Sequence, residues 1–505
     1  MSRGTSRGTD IVLTLMALTA LAMLLPAAVG FTLREHEAAR AFLYSGLLLG
    51  ALTALIHLAN RARAPSNRRL AHPFFILSAA YLALPPVMAI PLLDAVPGLG
   101  ALDAWFEMLS AFTTTGASVL EADTARSVHL WRALVGWMGG LFVLVYVTAI
   151  LAPMYLGGFE MLRQRNAGQV SQHRLSSTTL TQQGETAVGS DAWHRLRQQI
   201  AVIAPVYAGV TLLLWMALSI AGNPPLVALI VAMSALSTSG IIDNSTALPL
   251  AGAGELLVAL VLLLSLSRSF WPGGALTGTQ RLQGRRIELR MAGVVLAGIL
   301  LVFALDRLTG LRELSPPPLL PELWSVLFNA VSFLTTAGFV SQHTDLQSGF
   351  FAGPAGIVLL GVAMIGGGVA TTAGGIKLMR LFALMWQAKH EVAHLLYPSA
   401  VGGDGPHLRA LRRDGAFAAW LFVMVFLFSL AVVMGALTLL GLTLEDALIF
   451  AVAALSTTGP LVQVAASEPL FWAVLGDGEK LVLGFAMMLG RLEFLLLLSA
   501  LWPRA

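Results

Sequence analysis

Long apolar runs alternate with short polar stretches along the whole chain, and the runs come in two lengths. Crossing a hydrocarbon core of ~30 Å takes ~20 apolar residues in a helix. Ten stretches satisfy this: 11–31, 42–60, 74–93, 130–152, 199–221, 254–275, 291–306, 352–381, 415–440 and 480–502. Four others, 101–113, 225–236, 321–334 and 445–455, are shorter. At ~1.5 Å per residue each reaches only about halfway across. By length they read either as amphipathic surface helices or as re-entrant ones, and the residues just beyond each end decide between the two. The first run comes after Arg3 and Arg7 and ends at Ala27 and Ala28, as a signal peptide would. Its apolar stretch is longer than a typical h-region and a second span comes directly after it, so an uncleaved anchor is expected.

Composition agrees with the spans. Of 505 residues, 57% are hydrophobic and only 11% charged, against ~25% charged in a soluble domain. Mean hydropathy is +0.78. A soluble globular protein, a disordered chain and a nucleic-acid binder are excluded. The absence of Cys excludes disulfides, iron–sulfur clusters and thiolate zinc sites. The net charge of +4 then reads as topology. With the N-terminus in the cytoplasm, 22 of the 31 Lys and Arg fall on the inner side, as the positive-inside rule requires. Most acids fall outside, among them Asp103, Glu107, Glu121, Asp123, Asp243, Asp345, Glu445 and Asp446. They read either as a cation-concentrating outer mouth or as ordinary loop residues and helix caps.

The chain also repeats itself. Each short apolar stretch runs into a Thr/Ser motif ending in Gly. These are Thr113-Thr114-Thr115-Gly116-Ala117, Ser237-Thr238-Ser239-Gly240-Ile241, Thr335-Thr336-Ala337-Gly338-Phe339 and Ser456-Thr457-Thr458-Gly459-Pro460. The unit is span, half-length helix, loop, span. It predicts an all-α integral membrane fold: four tandem units around a pseudo-fourfold, channel-like pore, preceded by two N-terminal transmembrane helices. The segments are 1–72 for that pair, then repeats at 73–198, 199–290, 291–413 and 414–505. Such loops suit a dehydrated K+, which needs a cage of oxygens in place of its water; carbonyls from four loops can supply it. Gly tolerates the φ > 0 needed to aim carbonyls at one axis. Irregular backbone at membrane depth is allowed only where it is buried or lines a cavity, and each half-helix would aim its negative dipole end at the cation. The expected filter residues are Thr114, Thr115, Gly116, Thr238, Ser239, Gly240, Thr336, Ala337, Gly338, Thr457, Thr458 and Gly459.

On these motifs the chain resembles the TrkH/TrkG/KtrB superfamily of potassium uptake proteins, most closely its TrkH branch. Further support comes from Trp137-Met138-Gly139-Gly140, from the Gly-rich stretch Gly366–Lys377, and from Gly490-Arg491-Leu492-Glu493. The resemblance implies K+ as the transported ion, a homodimer in the bacterial inner membrane with a cytoplasmic N-terminus, and a nucleotide-binding TrkA-type regulatory subunit. No Rossmann pattern occurs in this chain, so that subunit would be a separate protein. No organic cofactor, nucleic acid or enzymatic activity is expected. There are departures: the second loop reads Thr-Ser-Gly-Ile, Pro460 comes after the fourth Gly, and no loop carries a second filter Gly. Selectivity should therefore be moderate.

Five further features remain to be read. Residues 366–375 hold five Gly, each costing ~1 kcal/mol in a helix, so helix should fail there. The stretch reads as a gate (Gly366, Gly367, Gly368, Gly374, Gly375 and Lys377), with close helix packing through small residues as the alternative. Arg491 sits mid-span; it reads either as a pore-facing charge below the filter, as the family resemblance implies, or as the partner of an acid such as Glu493. Arg268 is nearer the inner end of its span, where its long side chain could snorkel, and it is given no functional role. His390-Glu391-Val392-Ala393-His394 matches the zinc-protease pattern but lacks a close third ligand, and reads as a solvated helix facing the regulatory subunit. Gly46 and Gly50 read as helix packing. The rivals are a secondary transporter for another cation or small solute, a zinc protease, and a non-conducting scaffold.

Overall fold

The computed structural model describes residues 7–61, 73–121, 123–151, 180–242, 248, 250, 253–272, 278–309, 318–344, 350–351, 356–396, 416–466 and 468–491. All regular structure in them is helical. Six helices are long and apolar enough to cross a membrane: 12–32, 36–60, 126–150, 194–220, 284–309 and 416–439. This is a multi-pass membrane protein.

The chain begins with α1 (Arg7–Ala22), α2 (Leu24–Thr32) and α3 (His36–Arg61), which pack together. Glu35 ties them to a later helix: its carboxylate accepts from the Arg126 and Ser127 N–H groups at 2.9 and 3.0 Å, filling orphan donors at a helix start. Then come α4 (Pro73–Ala95), α5 (Ala101–Phe112), α6 (Arg126–Tyr146), α7 (Leu180–Ile220), α8 (Pro225–Ser237) and α9 (Gly254–Leu262). The rest are α10 (Gly278–Thr309), α11 (Leu319–Leu334), α12 (Gly356–Ile365), α13 (Leu378–Leu396), α14 (Ala416–Leu439), α15 (Leu444–Leu455), α16 (Val462–Ala465) and α17 (Asp477–Arg491).

The short helices α5, α8, α11 and α15 are the cores of the packing. Each lies between the helices that flank it in sequence. The helix after each loop also reaches the next short helix: α6 packs on α8, α9 on α11, α12 on α15, and α17 returns to α5. Gly139 and Gly140 show why Trp137-Met138-Gly139-Gly140 matters. A Cβ on Gly139 would run into the Phe112 carbonyl, and one on Gly140 into Ser237 at 2.9 Å. Two adjacent glycines thus let α6 touch the ends of two short helices at once.

The first expected span is two helices joined at Met23, and two others break more widely. The stretch 352–381 breaks between α12 and α13, where helix was expected to fail. The stretch 254–275 breaks too, against expectation: α9 ends at Leu262 and gives way to 3-10 turns Leu263–Leu266 and Arg268–Phe270. Arg268 accordingly does not snorkel. It is buried, and it donates to the Pro272 carbonyl at 2.9 Å. Arg3, Asp243, Asp345, Leu492 and Glu493, and the side chains of Arg7 and His394, lie outside the described residues.

Candidate functional site

The four Thr/Ser-Gly loops share one backbone path. Thr114, Thr238, Thr336 and Thr457 all sit in the left-handed region, at φ 55, 53, 56 and 54°. A β-branched residue there is an outlier and costs ~1–3 kcal/mol. The next N–H closes each loop back on its helix: Thr115 to Ser110, Ser239 to Ser234, Ala337 to Ser332 and Thr458 to Ala453, at 2.8–3.0 Å. Hydroxyls at the preceding position finish the helix ends, as Thr113 Oγ1 and Thr335 Oγ1 do on the carbonyls of Leu109 and Val331. All twelve expected loop residues lie in this frame; the four threonines were marked for their oxygens, and their strain was not legible locally.

The loops meet. A Cβ on Gly116 would strike the Ser239 carbonyl, one on Gly240 the Ala337 carbonyl, and one on Gly338 the Pro460 ring at 3.0 Å. The Gly459 N–H donates to the Thr115 carbonyl at 2.6 Å. Above them opens a cavity of about 270 Å³, lined by all four glycines together with Arg132, Pro460 and Trp472. Its flank is fixed by a fully buried ion pair between Arg132 and Glu107; the other Glu107 oxygen accepts from the Val119 N–H at 2.8 Å.

Beneath the loops lies the Gly-rich segment 366–377, which is non-helical. It reaches the short helix or loop of three units directly and that of the first through Arg491. The Gly374 N–H donates to Thr336 Oγ1 at 2.7 Å, and Thr372 Oγ1 to the Leu236 carbonyl at 3.3 Å. Gly374 abuts the Ser456 carbonyl so closely that a Cβ could not fit. The fourth link runs through Arg491, whose Nε donates to the Thr113 carbonyl at 2.6 Å and whose guanidinium NH1 donates to the Thr372 carbonyl at 2.7 Å. Lys377 is buried and donates to the Ala373 carbonyl. Gly366 packs on Gly374 and Gly375, Gly367 near the Ser265 carbonyl, and Gly368 on the Leu266 carbonyl. The break after α9 is therefore half of the seat for this segment.

One residue of this seat escaped the sequence reading. Glu288, on α10, is buried; it accepts from the Val369 N–H at 2.8 Å and from Ser267 Oγ at 2.5 Å. It lies among Arg285, Arg286 and Arg290 and reads as a solvated residue. The only signal available was that it is the single acid in that basic run. Trp472, which donates to the Gly459 carbonyl, was missed as well. On α13, Glu391 accepts from Gln387 one turn earlier at 2.5 Å, and among the described residues no group of three His, Asp or Glu could hold a metal.

Residues 294–501 match the TrkH family, described as cation transport protein. The Trk system potassium uptake protein TrkI of Halomonas elongata is 27% identical over 450 residues, covering 87% of this chain and 85% of that protein. TrkH of Salmonella typhimurium, a Trk system potassium uptake protein, is 26% identical over 504 residues, 98% of each. The crystal structure of the potassium transporter TrkH from Vibrio parahaemolyticus superposes with a TM-score of 0.73 at 25% identity. It covers 98% of this chain and 97% of that one. These relatives are ion transporters, so the zinc-protease reading of 390–394 is set aside.

Proposed function

We propose that this chain, similar to the TrkH branch of the potassium uptake superfamily, carries K+ into the cell through the four converging loops. The observation that bears most on this reading is the backbone shared by the loops: four separate stretches of sequence adopt the same strained turn and meet at one place. Strain repeated four times is hard to explain by packing alone, since a right-handed turn would relieve ~1–3 kcal/mol at each.

In this reading K+ arrives at the outer cavity, sheds water among loop carbonyls, and passes inward. The C-terminal ends of α5, α8, α11 and α15 face it with partial negative charge. The membrane potential drives the ion at ~2.3 kcal/mol per 100 mV. The segment 366–375 acts as the gate in this reading and is seated in its closed position, where Arg491 holds it at Thr372 and Glu288 at Val369. Helix α13 leads away from the gate and leaves Val392, Leu395 and Leu396 exposed. It is the natural place for a separate TrkA-type nucleotide-binding subunit to act. The chain sits in the bacterial inner membrane with its N-terminus in the cytoplasm and works as a homodimer without an organic cofactor.

The test is rescue of a K+-uptake-deficient bacterial strain on low-K+ medium by the wild type, Gly116→Ser and Gly338→Ser at matched expression. Growth with the wild type and its loss in both variants is expected. A wild type that neither rescues, even with a TrkA-type subunit, nor carries Rb+ would overturn the reading.

A further inference from the structure

The fourth loop leaves the common path just above its left-handed threonine. Gly116, Gly240 and Gly338 have φ of 78, 65 and 75°, whereas Gly459 does not take a positive φ. Beyond the first three glycines the chain runs on without helix, over 117–120, 241–242 and 339–341. After the fourth, a 3-10 turn Gly459–Leu461 begins at once and passes directly into α16. Pro460 dictates this, because its ring fixes φ near −65° and suits a helix start.

Both backbone groups of Gly459 are engaged. Its N–H donates to the Thr115 carbonyl at 2.6 Å, and its carbonyl accepts from Trp472 Nε1 at 3.1 Å. Trp472 is itself wedged between short helices of the first and fourth units, with ring centroids 5.0 Å from Phe450 and 5.8 Å from Phe106. Meanwhile the Pro460 ring fills the gap between loops two and three. A Cβ on Gly240 would lie 2.9 Å from its Cγ, and one on Gly338 would lie 3.0 Å from its Cδ.

A carbonyl replaces water around K+ only when it faces the ion. We propose that Pro460 and Trp472 withdraw the fourth loop from the outermost ring of ligands. That ring is then built by loops one to three alone, and Pro460 sets how much water K+ keeps as it enters. Discrimination between K+ and Na+ falls to the threonine level below, where all four loops match. This inference rests on the reading of the four loops as a K+ filter.

Purified protein in proteoliposomes tests it, with K+ and Na+ fluxes measured for the wild type, Trp472→Phe, Pro460→Ala and Gly116→Ser. Trp472→Phe keeps an aromatic ring, smaller than the indole, but removes its N–H, freeing the Gly459 carbonyl. The half-saturating K+ concentration should fall roughly three- to tenfold, the worth of about one hydrogen bond, and the Na+/K+ flux ratio should drop. Pro460→Ala should move both in the same direction. A fourth loop that already ligates the ion predicts the reverse: weaker K+ saturation in Trp472→Phe with a higher Na+/K+ ratio. That result, or ratios unchanged in both variants with melting curves like the wild type, overturns the proposal. If the wild type carries no K+, or Gly116→Ser leaves its flux intact, the filter reading itself falls and the wedge with it.

Discussion

Gly374→Ala isolates the gate. Gly374 has no positive φ, so alanine meets no backbone penalty there and the cost is steric. Its Cβ would overlap the Ser456 carbonyl and Thr457 Oγ1, which belong to the fourth loop. The segment must lift, and in lifting it breaks the 2.7 Å bond from the Gly374 N–H to Thr336 Oγ1. Overpacking costs ~1–3 kcal/mol and the lost bond about 1 kcal/mol. The seated position is then weakened by about 2–4 kcal/mol. At 1.4 kcal/mol per tenfold, that shifts the seated-to-lifted ratio roughly 30- to 1,000-fold. Rb+ uptake into K+-loaded proteoliposomes, without any regulatory subunit, reads this as raised basal flux. Gly361→Ala on α12 is the control, since nothing lies within 4 Å of its added Cβ; its flux should match the wild type. Basal flux in Gly374→Ala at or below the wild-type level, with an unchanged melting temperature, would refute the gate reasoning.

Other outcomes rest on the same contacts. Glu288→Ala leaves the Val369 N–H buried without its acceptor, at ~1–3 kcal/mol; basal flux should rise and thermal stability fall, while Glu288→Gln, which keeps an acceptor oxygen, should stay near the wild type in both. Removing one partner of the buried Glu107–Arg132 pair should cost ~3–5 kcal/mol. Glu107→Gln and Arg132→Met should each lower the melting temperature in detergent, and the double variant should fall less than the two added together. Inductively coupled plasma mass spectrometry on protein purified without chelator should find zinc well below one per chain, and His390→Ala should not change it; stoichiometric zinc lost in that variant would reopen the metal reading of 390–394.

The sequence by itself determined the class, the position of the four loops and the failure of helix at 366–375. Each of these is written locally. Span length, the abrupt Thr/Ser-Gly punctuation after a half-length apolar run and a density of five Gly need no distant partner to be read. Gly139 and Gly140 were legible as a motif but not as a reason, because the reason is two helix ends that close on α6 at adjacent positions. What only the tertiary structure decided are contacts between residues far apart in the chain. Glu288 is 81 positions from the N–H it holds, and Arg491 reaches carbonyls 378 and 119 positions away. A charge in a basic stretch looks solvated until the fold buries it, and a lone Arg in a span shows no partner when the partners are backbone carbonyls. The four threonines make the same point. Their left-handed φ runs against local preference and is held only because the surrounding loops and short helices leave the chain no other path. Pro460 was visible as a departure, but its consequence lay in Trp472, in Thr115 and in two glycines of other loops, which folding alone brings to one place.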